Sequence, residues 1–109
     1  MSNFLISICI PVYNGKQYID KCIDSCLAQT YQNFELIICD DCSTDGTVDY
    51  IKSKFNGNEK IKLFQNSKNL GLVGNWNETL SHANGEYIKW LFQDDWIEQN
   101  ALEEFVNCA

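Results

Sequence analysis

The run Phe34-Glu-Leu-Ile-Ile-Cys-Asp40-Asp41-Cys-Ser-Thr-Asp-Gly-Thr47 decides the fold. Up to Cys39 it is apolar but for Glu35, as expected of a strand covered on both faces. Two adjacent aspartates end the strand, and a cluster of turn residues follows. Val48, Ile51 and Phe55 then recur at helical spacing. Ser43 and Thr44 are good capping residues, so the helix is expected to be entered through them. A buried strand, an acidic turn and an amphipathic helix make one βα unit.

The same alternation continues outward in both directions. Phe4 to Ile10 reads as a strand, and Ile19, Cys22, Ile23, Cys26 and Leu27 mark a helix after it. Downstream, Ile61 to Phe64 reads as a third strand. Val73, Trp76, Leu80 and Ala83 predict the buried face of a third helix, stopped by Asn84-Gly85. Tyr87 to Phe92 reads as a fourth strand. Ile97, Ala101, Leu102, Phe105 and Val106 mark a last helix. The order βαβαβαβα predicts an α/β fold: a three-layer α/β/α sandwich with a mainly parallel, Rossmann-like sheet and right-handed crossovers. The length of 109 residues suits one such domain.

Bulk composition excludes some functions. The net charge of −7 argues against nucleic acid as a partner, because phosphate binding there needs clustered Lys and Arg. No apolar run approaches the roughly 20 residues of a membrane span. Phe4 to Ile10 is too short for a signal peptide and has no basic segment before it, so a cytoplasmic location is expected. Cys9, Cys22, Cys26, Cys39, Cys42 and Cys108 read as free, mostly buried thiols. A zinc site from Cys22, Cys26, Cys39 and Cys42 is the alternative. Cys39 and Cys42 have C-x-x-C spacing, but two aspartates lie between them.

In an open parallel sheet, ligands bind beyond the carboxyl ends of the strands. Pro11-Val-Tyr-Asn-Gly15 follows the first strand and Asp40-Asp41-Cys-Ser-Thr-Asp45 the second. Asn66 and then Asn69-Leu-Gly71 follow the third, and Gln93-Asp94-Asp95 the fourth. Paired carboxylates at two strand ends repel unless a cation or ligand donors satisfy them. Helix capping would also account for either pair taken singly. No glycine-rich phosphate loop of the dinucleotide-binding or P-loop type is present. The lone His82 reads as a solvated side chain rather than a ligand.

These residues carry a resemblance. Ile8-Cys-Ile-Pro-Val-Tyr-Asn14, Ser25-Cys-Leu-Ala-Gln-Thr-Tyr31, the Phe34–Thr47 run, Asn69-Leu-Gly71, Asn77, Ala83-Asn-Gly-Glu-Tyr-Ile88 and Asp94-Asp95 resemble, in order, the inverting family 2 glycosyltransferases of GT-A fold. The likeness spans essentially residues 1–109, which correspond to the nucleotide-sugar-binding half, cut before the acceptor-binding half. It implies a nucleotide-diphosphate sugar donor, UDP- or dTDP-linked, bound by Pro11, Val12, Tyr13, Asn14, Asp40, Asp41, Asn69, Gly71 and Asn77. Tyr13 would lie beside the base, and Asp41 would accept the N3–H of a uracil or thymine ring with Asp40 in support. Asp94 and Asp95 resemble the end of a D-x-D motif holding Mn²⁺ or Mg²⁺ on the diphosphate.

The resemblance further implies inverting transfer to a glycan or lipid-linked acceptor in surface polysaccharide synthesis. The full-length protein would then work in the cytoplasm, with room for peripheral association at the inner face of the membrane. The general base is expected beyond residue 109, so these residues alone should transfer sugar poorly and, with sheet edges bare, could self-associate. Three positions depart from the pattern: Phe92 replaces the first Asp of D-x-D, Cys42 replaces a Gly, and Trp76 replaces an Arg. The Cys42 change is mild if φ there stays negative. Phe92 leaves a non-catalytic nucleotide-binding module as an alternative. A receiver-type signalling domain is a further one, but it needs an acidic pair where Pro-Val-Tyr-Asn stands.

Overall fold

The apolar runs form strands and the 3.6-periodic runs form helices, in the alternating order expected. The computed structural model describes residues 4–108. Its elements are β1 (Ile6–Val12), α1 (Ile19–Leu27), β2 (Phe34–Asp40), α2 (Thr47–Lys54), β3 (Ile61–Gln65), α3 (Gly71–Ser81), β4 (Tyr87–Trp90) and α4 (Ala101–Cys108). The four strands form one sheet in the order β3-β2-β1-β4, and each neighbouring pair is parallel. Every residue of β1 and β2 is buried, which explains their nearly continuous apolar character.

Alternation of side chains divides the core into two layers. Ile6, Ile8, Ile10 and Val12 of β1 join Leu36 and Ile38 of β2 in one cluster. That cluster includes Ile19 and Ile23 of α1, Ile51 of α2, and Leu102 and Val106 of α4. The other face carries Ser7, Cys9, Ile37 and Cys39, and α3 crosses over it against β1 and β2. The chain winds outward from β1 to β3, then returns across the sheet to β4. The point where its direction reverses lies between β1 and β4.

Several local expectations are corrected. Helix α3 does not bury Val73, Trp76 and Leu80 as one stripe. Val73 is 64% exposed and Leu80 44%, whereas Asn75 and Thr79 are buried. The helix rotates to satisfy polar groups: Asn75 Nδ2 donates to the Cys39 carbonyl at 3.0 Å, and Thr79 Oγ1 donates to the Asn75 carbonyl at 2.6 Å. It also ends at Ser81, short of Asn84-Gly85. Gly85 instead lets the backbone approach β1, since a Cβ there would lie 2.6 Å from Ser7 N.

Helix α2 is not capped by Ser43 or Thr44. It starts after Gly46, and Asp45 serves its first turn by accepting from Thr47 N at 3.1 Å. Strand β4 stops at Trp90 rather than Phe92, and the chain turns through Asp95 N–H donating to the Phe92 carbonyl at 2.9 Å. His82 is half-buried, stacked 3.7 Å from the Phe64 ring with Nε2 3.2 Å from Glu78.

Candidate nucleotide-sugar site

Two loops at the carboxyl end of the sheet are laced together by short-range polar contacts. Asn14 N–H donates to Ser43 Oγ at 2.8 Å, and Asn14 Oδ1 accepts from Thr44 N at 2.8 Å. Gly15 N–H donates to Thr47 Oγ1 at 3.1 Å and Lys16 N–H to Asp45 at 3.2 Å. Asn14 holds φ at +50°, a region Asn tolerates better than most residues. Asp40 is fully buried and accepts from Ser43 N at 2.9 Å and Ser43 Oγ at 2.5 Å. Its place is inside the loop that carries Asp41.

Asp41 is 3% exposed and heavily hydrogen-bonded. Its Oδ1 accepts from Leu70 N at 2.7 Å and Asn66 Nδ2 at 3.0 Å, and its Oδ2 accepts from Gly71 N at 3.0 Å. This side chain thus caps α3 from thirty residues upstream in sequence. A helix N-terminus presents exposed amides and positive dipole density, and a carboxylate satisfies both. A carboxylate offers about four acceptor sites, so one remains for a ligand donor. Gly71 holds φ at +81°, the left-handed region that favours glycine, to turn its amide toward Asp41.

A cavity of about 540 Å³ opens where the winding reverses. That size falls within the usual range for small-molecule sites. Pro11, Val12 and Tyr13 line it from the end of β1, and Asp41 from the end of β2. Asn69, Gly71, Leu72 and Asn75 line it from the start of α3, and Phe92, Gln93 and Asp94 from the segment after β4. Asp41 and Asp94, 53 positions apart by number (94 − 41), therefore face one space.

Most of the residues singled out in the sequence converge here. Asn14 and Asp40 stand behind the lining as supports, as their hydrogen bonds show. Asn77 does not join them: it is exposed on α3 and outside the lining, while Asn75, two residues earlier, is inside it. Asp95 is exposed beside the rim.

Three contributors have no role assigned by the sequence, although Asn66 and Gln93 stand at the strand ends. Asn66 donates to both Asp41 and Asn75, at 3.0 and 2.9 Å, and so orients the carboxylate. Asn75 lies off the Val73-Trp76-Leu80-Ala83 stripe, on the side of α3 that the apolar spacing left to solvent. With Asn77 two residues away, nothing in the pattern marked Asn75 as the inward amide. Gln93 exchanges two hydrogen bonds with the backbone of Tyr13, at 2.8 and 2.9 Å.

The donor set bears on a metal. Among the described residues no cluster of three or more His, Cys, Asp or Glu could hold an ion by itself. Mg²⁺ and related hard cations often use only one or two carboxylates, with phosphate oxygens and water completing the shell. The Asp94 and Asp95 carboxylates accept no hydrogen bond from the described residues, which leaves them free for that role. They fit a shared site in which the ligand supplies the remaining oxygens.

The zinc alternative does not form, because among the described residues no three of these side chains come together to hold an ion. All six cysteines are free. Cys39 Sγ donates to Asn66 Oδ1 and Cys42 Sγ to the Asn66 carbonyl, each at 3.2 Å. Burial pushes the Cys39 thiol up to about 11. The Cys9 thiol rises to about 12 through burial, with the nearby Glu35 charge adding to it.

The chain is 43% identical over 103 residues to an uncharacterized glycosyltransferase of Haemophilus influenzae, covering 94% of this chain and 41% of that protein. It is 39% identical over 99 residues to a chondroitin synthase of Pasteurella multocida, covering 91% of this chain and 10% of that one. The chain thus spans well under half the length of these relatives.

Among solved structures it superposes on S. aureus TarS 1–349 in complex with UDP-GlcNAc, with a TM-score of 0.85 and 30% identity. That match covers 94% of this chain and 30% of TarS 1–349. A mannosyltransferase of Pyrobaculum calidifontis, solved with GDP-Man and Mn²⁺, shares the fold at a TM-score of 0.79 and 23% identity, over 88% of this chain and 29% of that one. The model of the Glycosyl transferase family 2 matches residues 7–109, and the chain belongs to that family.

Proposed function

We propose that residues 1–109 are the donor-binding half of a glycosyltransferase that takes a UDP- or dTDP-linked sugar with a divalent cation. The observation that carries this reading is the shared cavity of Asp41 and Asp94. Asp41 has one acceptor site left for the N3–H of a pyrimidine base. Tyr13, 48% exposed at the cavity, offers its ring to the base. Asp94, with Asp95 beside it, would hold Mn²⁺ or Mg²⁺ against the diphosphate. Such an ion stabilises the charge on the departing nucleoside diphosphate. TarS, which was crystallised with UDP and with UDP-GlcNAc, supports the uridine assignment.

Inversion needs a base that removes the acceptor hydroxyl's proton. Asp41 and Asp94 are the carboxylates lining the cavity, and both serve the donor in this reading. Glu103 and Glu104 are exposed on α4, outside the lining. The base and the acceptor site then belong to chain beyond residue 109, and these residues alone bind donor without appreciable transfer. The acceptor in this reading is a glycan or lipid-linked chain in surface polysaccharide synthesis, at the cytoplasmic side of the membrane; the chondroitin synthase relative supports the polysaccharide part alone. A non-catalytic nucleotide-binding module is the second reading, favoured by Phe92, whose ring lies in the lining where an aspartate is usual.

Thermal shift with UDP, dTDP and GDP, with and without Mn²⁺, tests the donor site. Ligand that binds only the folded state raises the melting temperature by mass action. Metal-dependent stabilisation by UDP or dTDP, lost in Asp94→Asn and reduced in Asp95→Asn, is the expected result. Indifference to all three nucleotides would sink the proposal. Sugar transfer by a full-length chain separates enzyme from binding module.

A further inference from the structure

We propose that Gln93 is a positioning residue that fixes the nucleobase side of the cavity relative to its Asp94 side. The inference rests on the donor-site reading above. It begins with strand parity. The Val12 carbonyl accepts from Asp41 N at 2.9 Å, so Val12 directs its backbone groups toward β2. The Cys9 carbonyl accepts from Leu91 N at 3.0 Å, so Cys9 directs its groups toward β4. Alternation then points Pro11 and Tyr13 toward β4 as well.

Strand β4 ends too early to meet them, because its last pairing is Cys9 with Trp90. Pro11 has no N–H and so loses no donor there. Tyr13 would leave one donor and one acceptor without a ladder partner. The Gln93 side chain fills that gap as a surrogate peptide group: Tyr13 N–H donates to Oε1 at 2.8 Å, and Nε2 donates to the Tyr13 carbonyl at 2.9 Å. Its neighbour in sequence is Asp94. One amide therefore ties the wall that faces the base to the carboxylate that faces the diphosphate.

A second residue guards the clamp. Gly15 sits against it, and a Cβ at Gly15 would lie 2.5 Å from Gln93 Oε1 and 2.9 Å from Cδ. Gly15 is buried, and its own carbonyl is held by Tyr18 N and Ile19 N at 2.9 Å each. A methyl group there must displace the amide rather than the backbone. No left-handed φ is involved, so the glycine is explained by space for the clamp.

Gln93→Met keeps the length of the side chain and removes both hydrogen bonds. Gly15→Ala keeps Gln93 and pushes it aside. Each is expected to raise the Kd for UDP with Mn²⁺ about tenfold, what the loss of one or two such bonds and of preorganisation brings. Uridine alone, which spans neither lip to the other, should weaken less than about threefold, followed by NMR titration. Each variant should also speed hydrogen exchange at the Tyr13 amide.

The double variant decides between positioning and general damage. Residues that act through one contact are non-additive, so Gly15→Ala should cost little further once Gln93 is Met. Additive losses, or equal losses for uridine and UDP with Mn²⁺, overturn the clamp. So does wild-type Kd in Gln93→Met. Failure of the wild-type chain to bind UDP with Mn²⁺ is a different result: it removes the donor-site reading and the clamp together.

Discussion

Cys42 shows how a single dihedral changes the meaning of a residue. It follows the Asp40-Asp41 pair, and its substitution for glycine is mild only with negative φ. The structure holds it at +65°, where a Cβ costs about 1–2 kcal/mol. A thiol hydrogen bond to the Asn66 carbonyl offsets part of that. Cys42→Gly is therefore expected to stabilise the chain by about 1 kcal/mol in urea denaturation. An unchanged or lower midpoint would show that the thiol contact outweighs the strain.

Asp41 was legible as an acidic rim residue, but its three protein donors were not, because they arrive from elements 25 or more positions away. Asp41→Asn replaces one acceptor with an amino group facing a backbone N–H. It should lose about 1–3 kcal/mol of stability as well as UDP affinity. A variant that loses affinity at full stability would refute the capping role. Thiol reactivity follows burial: alkylation and mass spectrometry should find Cys108 and Cys42 modified in the native chain, with Cys9, Cys22, Cys26 and Cys39 modified only after unfolding.

At the scale of elements, helical periodicity located α3 but misassigned its buried face. Hydrophobic spacing is a reliable guide where a helix packs by apolar contact alone. Here Asn75, Asn66 and Asp41 form a chain of hydrogen bonds that fixes the rotation instead. Leu72 and Val73 consequently face outward, at 68% and 64% exposed. Val73→Ser should then change stability by less than about 0.5 kcal/mol, as surface substitutions do. Asn75→Leu should cost about 1–3 kcal/mol, because it leaves the Cys39 carbonyl and Asn66 amide short of partners. The reverse ranking in denaturant midpoints would restore the apolar-face assignment. Strands β1 and β2 gave no such trouble, since burial on both faces leaves a short, nearly continuous apolar run bounded by turn residues.

For the whole molecule, the alternation of elements was enough to expect a site beyond the carboxyl ends of the strands, while the strand order that sets the point of reversal came from the structure. The buried polar crosslinks that lock the layers were not visible, and Glu35 is the chief of them. It interrupts the apolar run of β2, yet it is 4% exposed. Its carboxylate accepts from Ser7 Oγ of β1 at 2.6 Å and from Asn84 N, ahead of β4, at 2.7 Å. Lys62 of β3 lies 3.5 Å away. One side chain thus touches all four strands or their approaches.

Burial alone would raise its carboxyl, but the Ser7 and Asn84 donors and the Lys62 charge outweigh that and hold it below the usual glutamate value. A lowered folded value means that Glu35 stabilises the fold above the unfolded pKa of about 4.3. That contribution fades as the pH falls through the folded value. Glu35→Gln should therefore lose about 1–3 kcal/mol at pH 7. Its stability should also fall less steeply than that of the wild type as the pH is lowered below the unfolded value, because only wild-type Glu35 takes up a proton there. Urea titrations of both proteins across that range read the difference directly, and parallel acid limbs would show that the carboxylate's charge is not what joins the strands.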